Sequence, residues 1–124
     1  MARRKVWRMA PGETRDLGVS MATELDTAAV MTGETPEVTL WTLSGTTWTQ
    51  ATTGFTLSLE QVNTGAETAE DGETIAIGKG IFFRLVAPTT RGTYYVRSEC
   101  TADDGTKPAR PDDVLIVAGG GVPA

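Results

Sequence analysis

The sequence contains no histidine and a single cysteine, Cys100. Without histidine there is no Ser-His-Asp triad, no Cys-His dyad and no imidazole general base, and the usual zinc sites lose a main ligand. One thiol cannot close an intrachain disulfide. No apolar run approaches the roughly 18 residues that a membrane-crossing helix needs. Arg3, Arg4 and Lys5 are followed by Val6, Trp7 and Arg8 and not by an apolar core, so no secretory leader is expected. What is present is ordinary: 124 residues, 40% apolar and 22% charged. That suits one domain with one core and argues against wholesale disorder. A non-enzymatic domain without a cofactor is the expectation.

Cations are scarce in one long stretch. Between Asp16 and Gly78 there is no lysine or arginine, while Arg3, Arg4, Lys5 and Arg8 crowd the first eight residues. The remainder then carries seven cations against sixteen carboxylates, a net −9, inside a chain of net −5. A basic arm on an acidic body can meet nucleic acid, a membrane surface or an acidic protein, including a second copy of itself. Nucleic acid is the least attractive, because the body repels phosphates and four charges bind them weakly. The expected partner is protein, with neither membrane nor nucleic acid required. Trp7 is the tryptophan expected at such an interface, since buried aromatics dominate interface energetics.

The hydrophobic pattern has the period of strands. Leu17, Val19 and Met21 alternate with Asp16, Gly18 and Ser20. Residues 37–44 and 47–50 are rich in β-branched and aromatic residues around a short turn and predict a hairpin. Phe55, Leu57 and Leu59 are expected on one face, Thr56, Ser58 and Glu60 on the other. Strands are also expected at 74–77, 80–87, 92–101 and 113–117. In the 92–101 strand, Tyr94, Val96, Ser98 and Cys100 share the inner face. Residues 63–73 predict a long acidic surface loop, residues 22–30 at most a helical turn, and residues 119–124 a flexible tail. Many short strands between turn signals predict an all-β antiparallel sandwich or barrel.

The chemistry-bearing clusters are modest. Asp103, Asp104, Asp112 and Asp113 flank one loop and offer oxygen ligands of the kind calcium takes. They lack the spacing of an EF-hand, and the turn reading of Asp-Asp-Gly is preferred. Gly78, Lys79 and Gly80 are too short for a phosphate loop. Cys100 is expected as a small buried hydrophobe, Trp41 as core, and Trp48 as a candidate exposed aromatic. No nucleophile has a recognisable base.

In order, these signals resemble the small immunoglobulin-like domains of tailed-phage structural modules. Three stretches carry the likeness: Pro11, Gly12 and Glu13; the Trp41 strand followed by the Trp48 strand; and the ending, where Gly92, Thr93, Tyr94 and Tyr95 enter the penultimate strand and residues 112–117 form the last. In true immunoglobulin domains a tyrosine there makes a corner hydrogen bond and a cysteine bridges the sheets. Cys100 falls near that zone without a partner, which suits a protein made in a bacterial cytoplasm. The resemblance implies an immunoglobulin-like β-sandwich over residues 13–118, with a basic arm at 1–12 and a tail at 119–124. It implies a multimeric virion protein that decorates capsids or, alternatively, serves as a neck, tail or fibre–tail adaptor. Its partners would be other virion proteins and copies of itself, met through Arg3, Arg4, Lys5, Trp7 and Arg8. On that reading, removing residues 1–10 leaves the fold intact. The competing reading is a carbohydrate- or surface-binding module that uses Trp48 and the 103–113 loop, with calcium as a possible ligand.

Overall fold

A computed structural model describes residues 4–25, 28–108 and 110–118. Arg3 and the tail at 119–124 lie outside the described residues. Among the described residues the chain is all-β, with ten strands and no helix. In chain order they are β1 (Val6–Met9), β2 (Thr14–Ser20), β3 (Glu37–Ser44), β4 (Thr47–Ala51), β5 (Thr56–Val62), β6 (Glu67–Thr68), β7 (Thr74–Ile75), β8 (Gly80–Val86), β9 (Gly92–Glu99) and β10 (Asp113–Val117). Five form a sheet in the order β1-β10-β9-β3-β4, three form a sheet in the order β2-β8-β5, and β6 and β7 make a short separate hairpin. All pairings are antiparallel except β1 with β10, which is parallel.

Period-2 alternation places one residue in two on a shared core. Leu17 and Val19 of β2, Leu40 of β3, Ile81, Phe83 and Leu85 of β8, Tyr94 and Val96 of β9, and Leu115 and Val117 of β10 belong to one buried cluster. Side chains from both larger sheets therefore contribute to one core. The inner face of β9 is Tyr94, Val96 and Ser98, with Cys100 just beyond, all buried as the alternation predicts. The hairpin β3–β4 also falls where the sequence placed it, turning at Gly45, whose φ of 63° a glycine adopts freely.

Several expectations are corrected. The segment assigned to a basic arm contains β1, which adds to the edge of the five-stranded sheet: Val6 pairs with Val114 and Met9 with Val117. Trp7 and Met9 are only 4% and 2% exposed, so the folded body starts before residue 13. Pro11, Gly12 and Glu13 do not open the domain; they form the corner where the chain leaves one sheet for the other. The period-2 signal was present in Trp7, Arg8 and Met9, but the surrounding cations masked it.

In β5 the expected common face of Phe55, Leu57 and Leu59 breaks. The register shifts between Ser58 and Gln61, and Leu59 takes φ 57° and is turned out to solvent, 61% exposed. The extra residue of the bulge reverses the alternation, so Val62 is buried where an unbroken strand would expose it. The 63–73 loop is also more ordered than composition suggests, since it includes β6 and folds back on β7. Residues 22–25 form a turn and not a helix.

Candidate interaction face

Strand β1 brings the sequence-predicted site residues to very different places. Arg4 and Arg8 are exposed. Lys5 is not free: its ammonium donates to the Gly18 carbonyl at 2.7 Å and pairs with Glu70, Asp71 and Glu73 at 3.2–3.3 Å. Its side chain is 9% exposed, so this basic residue meets the acidic 70–73 segment of its own chain. Trp7 is no anchor for a partner. Its ring packs edge-on against Phe83, with centroids 6.1 Å apart, inside the core. Burial of an indole in its own domain removes it from any surface contact. Arg3 lies outside the described residues.

The aromatic surface lies on the outer face of the five-stranded sheet. Directly paired residues share a face, so the register assembles this surface strand by strand. Trp48 of β4 stands opposite Leu43 of β3, Trp41 opposite Tyr95 of β9, Tyr95 opposite Val114 of β10, and Val114 opposite Val6 of β1. The sequence placed Trp41 in the core; it lies on this outer face and is half-buried by its neighbours. Leu40, next along β3, holds the core position instead, because adjacent strand residues point to opposite sides. Leu43, Trp48 and Val6 are 39%, 42% and 55% exposed. At about 4.8 Å per strand, the face spans roughly 20 Å.

Arg97 ties the middle of this surface together. Its guanidinium carbon lies 4.7 Å from the centroid of Trp41 and 6.0 Å from that of Trp48. Two nitrogens donate to the Asp112 carboxylate at 3.2 Å each. That hydrogen bonding raises the Arg97 pKa above its ordinary value, with partial burial working against it. Trp48 meets Tyr95 at 5.1 Å and an interplanar angle of 80°, and the Trp41 indole nitrogen donates to Thr39 Oγ1 at 2.8 Å. The rings are thus held in place before any partner arrives, which lowers the entropy lost on binding.

The carboxylates of the 103–113 loop do not converge. Asp103 accepts from the Val30 amide at 3.1 Å, and Asp104 accepts from the amide and hydroxyl of Thr106 at 3.0 and 2.6 Å. Asp112 faces Arg97, and Asp113 is wholly buried against Arg110. No group of metal-ligating side chains forms among the described residues. Each carboxylate already serves a different backbone group or cation, so this geometry lends the calcium alternative no support.

A shallow depression of about 380 Å³ lies between β8 and the β6–β7 hairpin, with Leu59, Phe82, Glu67, Glu70 and Arg84 on its walls. Glu70 is held by Lys5 and the Gly18 amide, and Arg84 by Asp16, so these two charges are matched within the chain. Cys100 is buried, and burial, aided by the negative charge of Glu34, pushes its thiol pKa up and away from reactivity. Compared with known proteins, the chain matches no family model, no curated protein and no solved structure at a significant level.

Proposed function

We propose that this protein is a non-enzymatic, immunoglobulin-like β-sandwich that acts as a structural protein of a tailed-phage virion and binds other virion proteins. Capsid decoration is preferred to a neck, tail or fibre–tail adaptor. Two features support the sandwich reading. The orders β1-β10-β9-β3-β4 and β2-β8-β5 are compatible with a two-sheet immunoglobulin-type arrangement and support that reading. The Tyr94 hydroxyl donates to the Thr90 carbonyl at 2.7 Å, four residues upstream at the start of the penultimate strand, which is the position of a tyrosine corner.

The observation that carries the binding role is the prearranged outer face of Leu43, Trp48, Trp41, Tyr95 and Val6. Exposed apolar residues gathered on one face mark interaction surfaces more often than scattered ones do. Arg4 and Arg8 flank its β1 side and favour an acidic partner. The role assigned to the arm thus passes from Trp7 and Lys5 to this face.

The first experiment is quantitative mass spectrometry of purified particles from a phage carrying this gene. Hundreds of copies support decoration, and about six to fifteen support an adaptor at a symmetric junction. Absence from the particle overturns the virion reading. The paired variant L43S/W48S is expected to fold normally and to lose incorporation.

The carbohydrate reading has one observation in its favour, the exposed Trp48 beside Tyr95. Their rings meet edge to face, however, and offer no flat platform on which one sugar could stack over both. Glycan titrations that leave tryptophan fluorescence unchanged would dispose of it.

A further inference from the structure

The geometry points to the free edge of β4 as a self-pairing strand, through which two copies of this chain join their five-stranded sheets across a twofold axis. A sheet edge presents unpaired N–H and C=O groups and normally carries some device that stops another strand from adding to it. Three of the four edges of the two larger sheets carry one. Strand β1 is four residues long, carries Arg8 and is preceded by Arg4 and Lys5. Strand β2 is closed from within: the Gly18 amide donates to Glu70 Oε1 at 2.9 Å, the Gly18 carbonyl accepts from Lys5 Nζ, and the Ser20 carbonyl accepts from Arg110. Strand β5 is interrupted by the bulge at Leu59.

Strand β4 has none of these. Thr47–Ala51 contains no charge and no proline, keeps regular register with β3 over all five pairs, and has its first four residues exposed. It sits inside the longest uncharged stretch of the chain, residues 38–59. Two copies of net charge −5 repel over most of their surfaces and can approach closely where charge is absent. That selects a second copy as the occupant. A strand from an unrelated protein would be chosen by charge or by side-chain pockets, and this edge offers neither.

The strand is also self-complementary. Ser44 and Thr47 close the hairpin, so by the alternation of an antiparallel ladder Thr49 bonds toward β3 while Trp48 and Gln50 turn their backbone groups outward. Antiparallel pairing centred on Thr49 places Trp48 opposite Gln50 of the second copy. Each such pair exchanges two N–H···O bonds, and the twofold repeats it, giving four. The result is one continuous ten-stranded sheet with the aromatic face doubled on one side. The inference stands apart from the virion reading, because it concerns the purified chain alone.

Sedimentation equilibrium of the full chain tests it. A dimer is expected at a concentration on the order of 0.1 mM. Q50P removes one outward N–H per copy and leaves the β3–β4 ladder intact, since proline is tolerated where the amide faces outward. T49K sets two like charges directly opposite each other. Each variant is expected to weaken the dimer at least ~10-fold while its near-ultraviolet circular dichroism stays that of the parent. If Q50P fails to fold, T49K decides. A parent chain that stays monomeric overturns the inference and leaves the edge to a strand of another protein. A dimer that both variants leave intact overturns it in favour of a different interface.

Discussion

Asp113 is fully buried, and its carboxylate takes two bonds from Arg110, at 2.6 and 3.1 Å, and one from the Lys5 amide at 2.8 Å. Burial pushes this carboxyl above its ordinary value, while the guanidinium and the amide pull it back. A carboxyl raised in the folded state contributes stability fully below its unfolded value of 3.8, and that contribution is lost as pH rises through the folded value. The ion pair therefore matters most at neutral pH. Arg110→Ala strands the carboxylate in the core and is expected to cost about 3–5 kcal/mol at pH 7. The deficit against the parent is expected to shrink as pH falls and Asp113 takes up a proton. Urea denaturation of both proteins across pH 4–7 checks the sign; a deficit that grows in acid contradicts it.

At the scale of elements, Lys5 acts as a clamp between β2 and the segment joining β6 to β7. Partial burial raises the Asp71 carboxyl, but the Glu73 amide and the Lys5 ammonium outweigh it and hold it below its ordinary value. Such a group stabilises the fold above its unfolded value of 3.8, and the contribution fades as pH falls through the folded value. Asp71 and Glu73 are close to half exposed and screened by solvent, so the Gly18 and Glu70 contacts carry most of the effect. Lys5→Met is expected to lose about 1.5–3 kcal/mol from this charged hydrogen bonding. Hydrogen exchange is expected to quicken over residues 67–75 ahead of the sheets, in the variant and in the parent under acid. Strand β1 is the second element that decides stability. Trp7→Ala is expected to cost about 3–5 kcal/mol, and removal of residues 1–10 to consume most of a typical 5–15 kcal/mol of stability. Thermal melting tests both, and a truncated chain that melts like the parent would show that β1 is dispensable.

Over the whole molecule, the acidic body meets one cation of the basic beginning, Lys5, and otherwise cations from later in the chain. Lys5 meets three carboxylates, Arg84 meets Asp16, Arg97 meets Asp112 and Arg110 meets Asp113. Arg4 and Arg8 stay on the surface, beside the apolar outer face. The four loop aspartates are divided among separate partners, so millimolar calcium is expected to leave the melting temperature unchanged. A rise of several degrees on adding calcium, reversed by chelator, would show that the loop rearranges into a site.

The sequence alone determined the strands whose alternation is strong. The β3–β4 hairpin, the inner face of β9 and the closing β10 follow from period-2 patterning, because burial of one sheet face selects every second residue. Trp7 and Met9 carried the same signal for β1 in weaker form. The tertiary structure alone decided what each polar group meets. Lys5 and Asp113 are 108 residues apart, and their bond exists only once β1 lies parallel to β10. Asn63 is another such case. Its side-chain amide donates to the carbonyls of Gly65, Ile75 and Ala76, and its carbonyl oxygen accepts from the Gly80 amide. The bulge at Leu59 likewise answers to the pairing of β5 with β8 and not to its own residues. Periodicity records which side of a strand is buried, whereas partners across sheets are fixed by the packing of distant segments, and no local pattern encodes them.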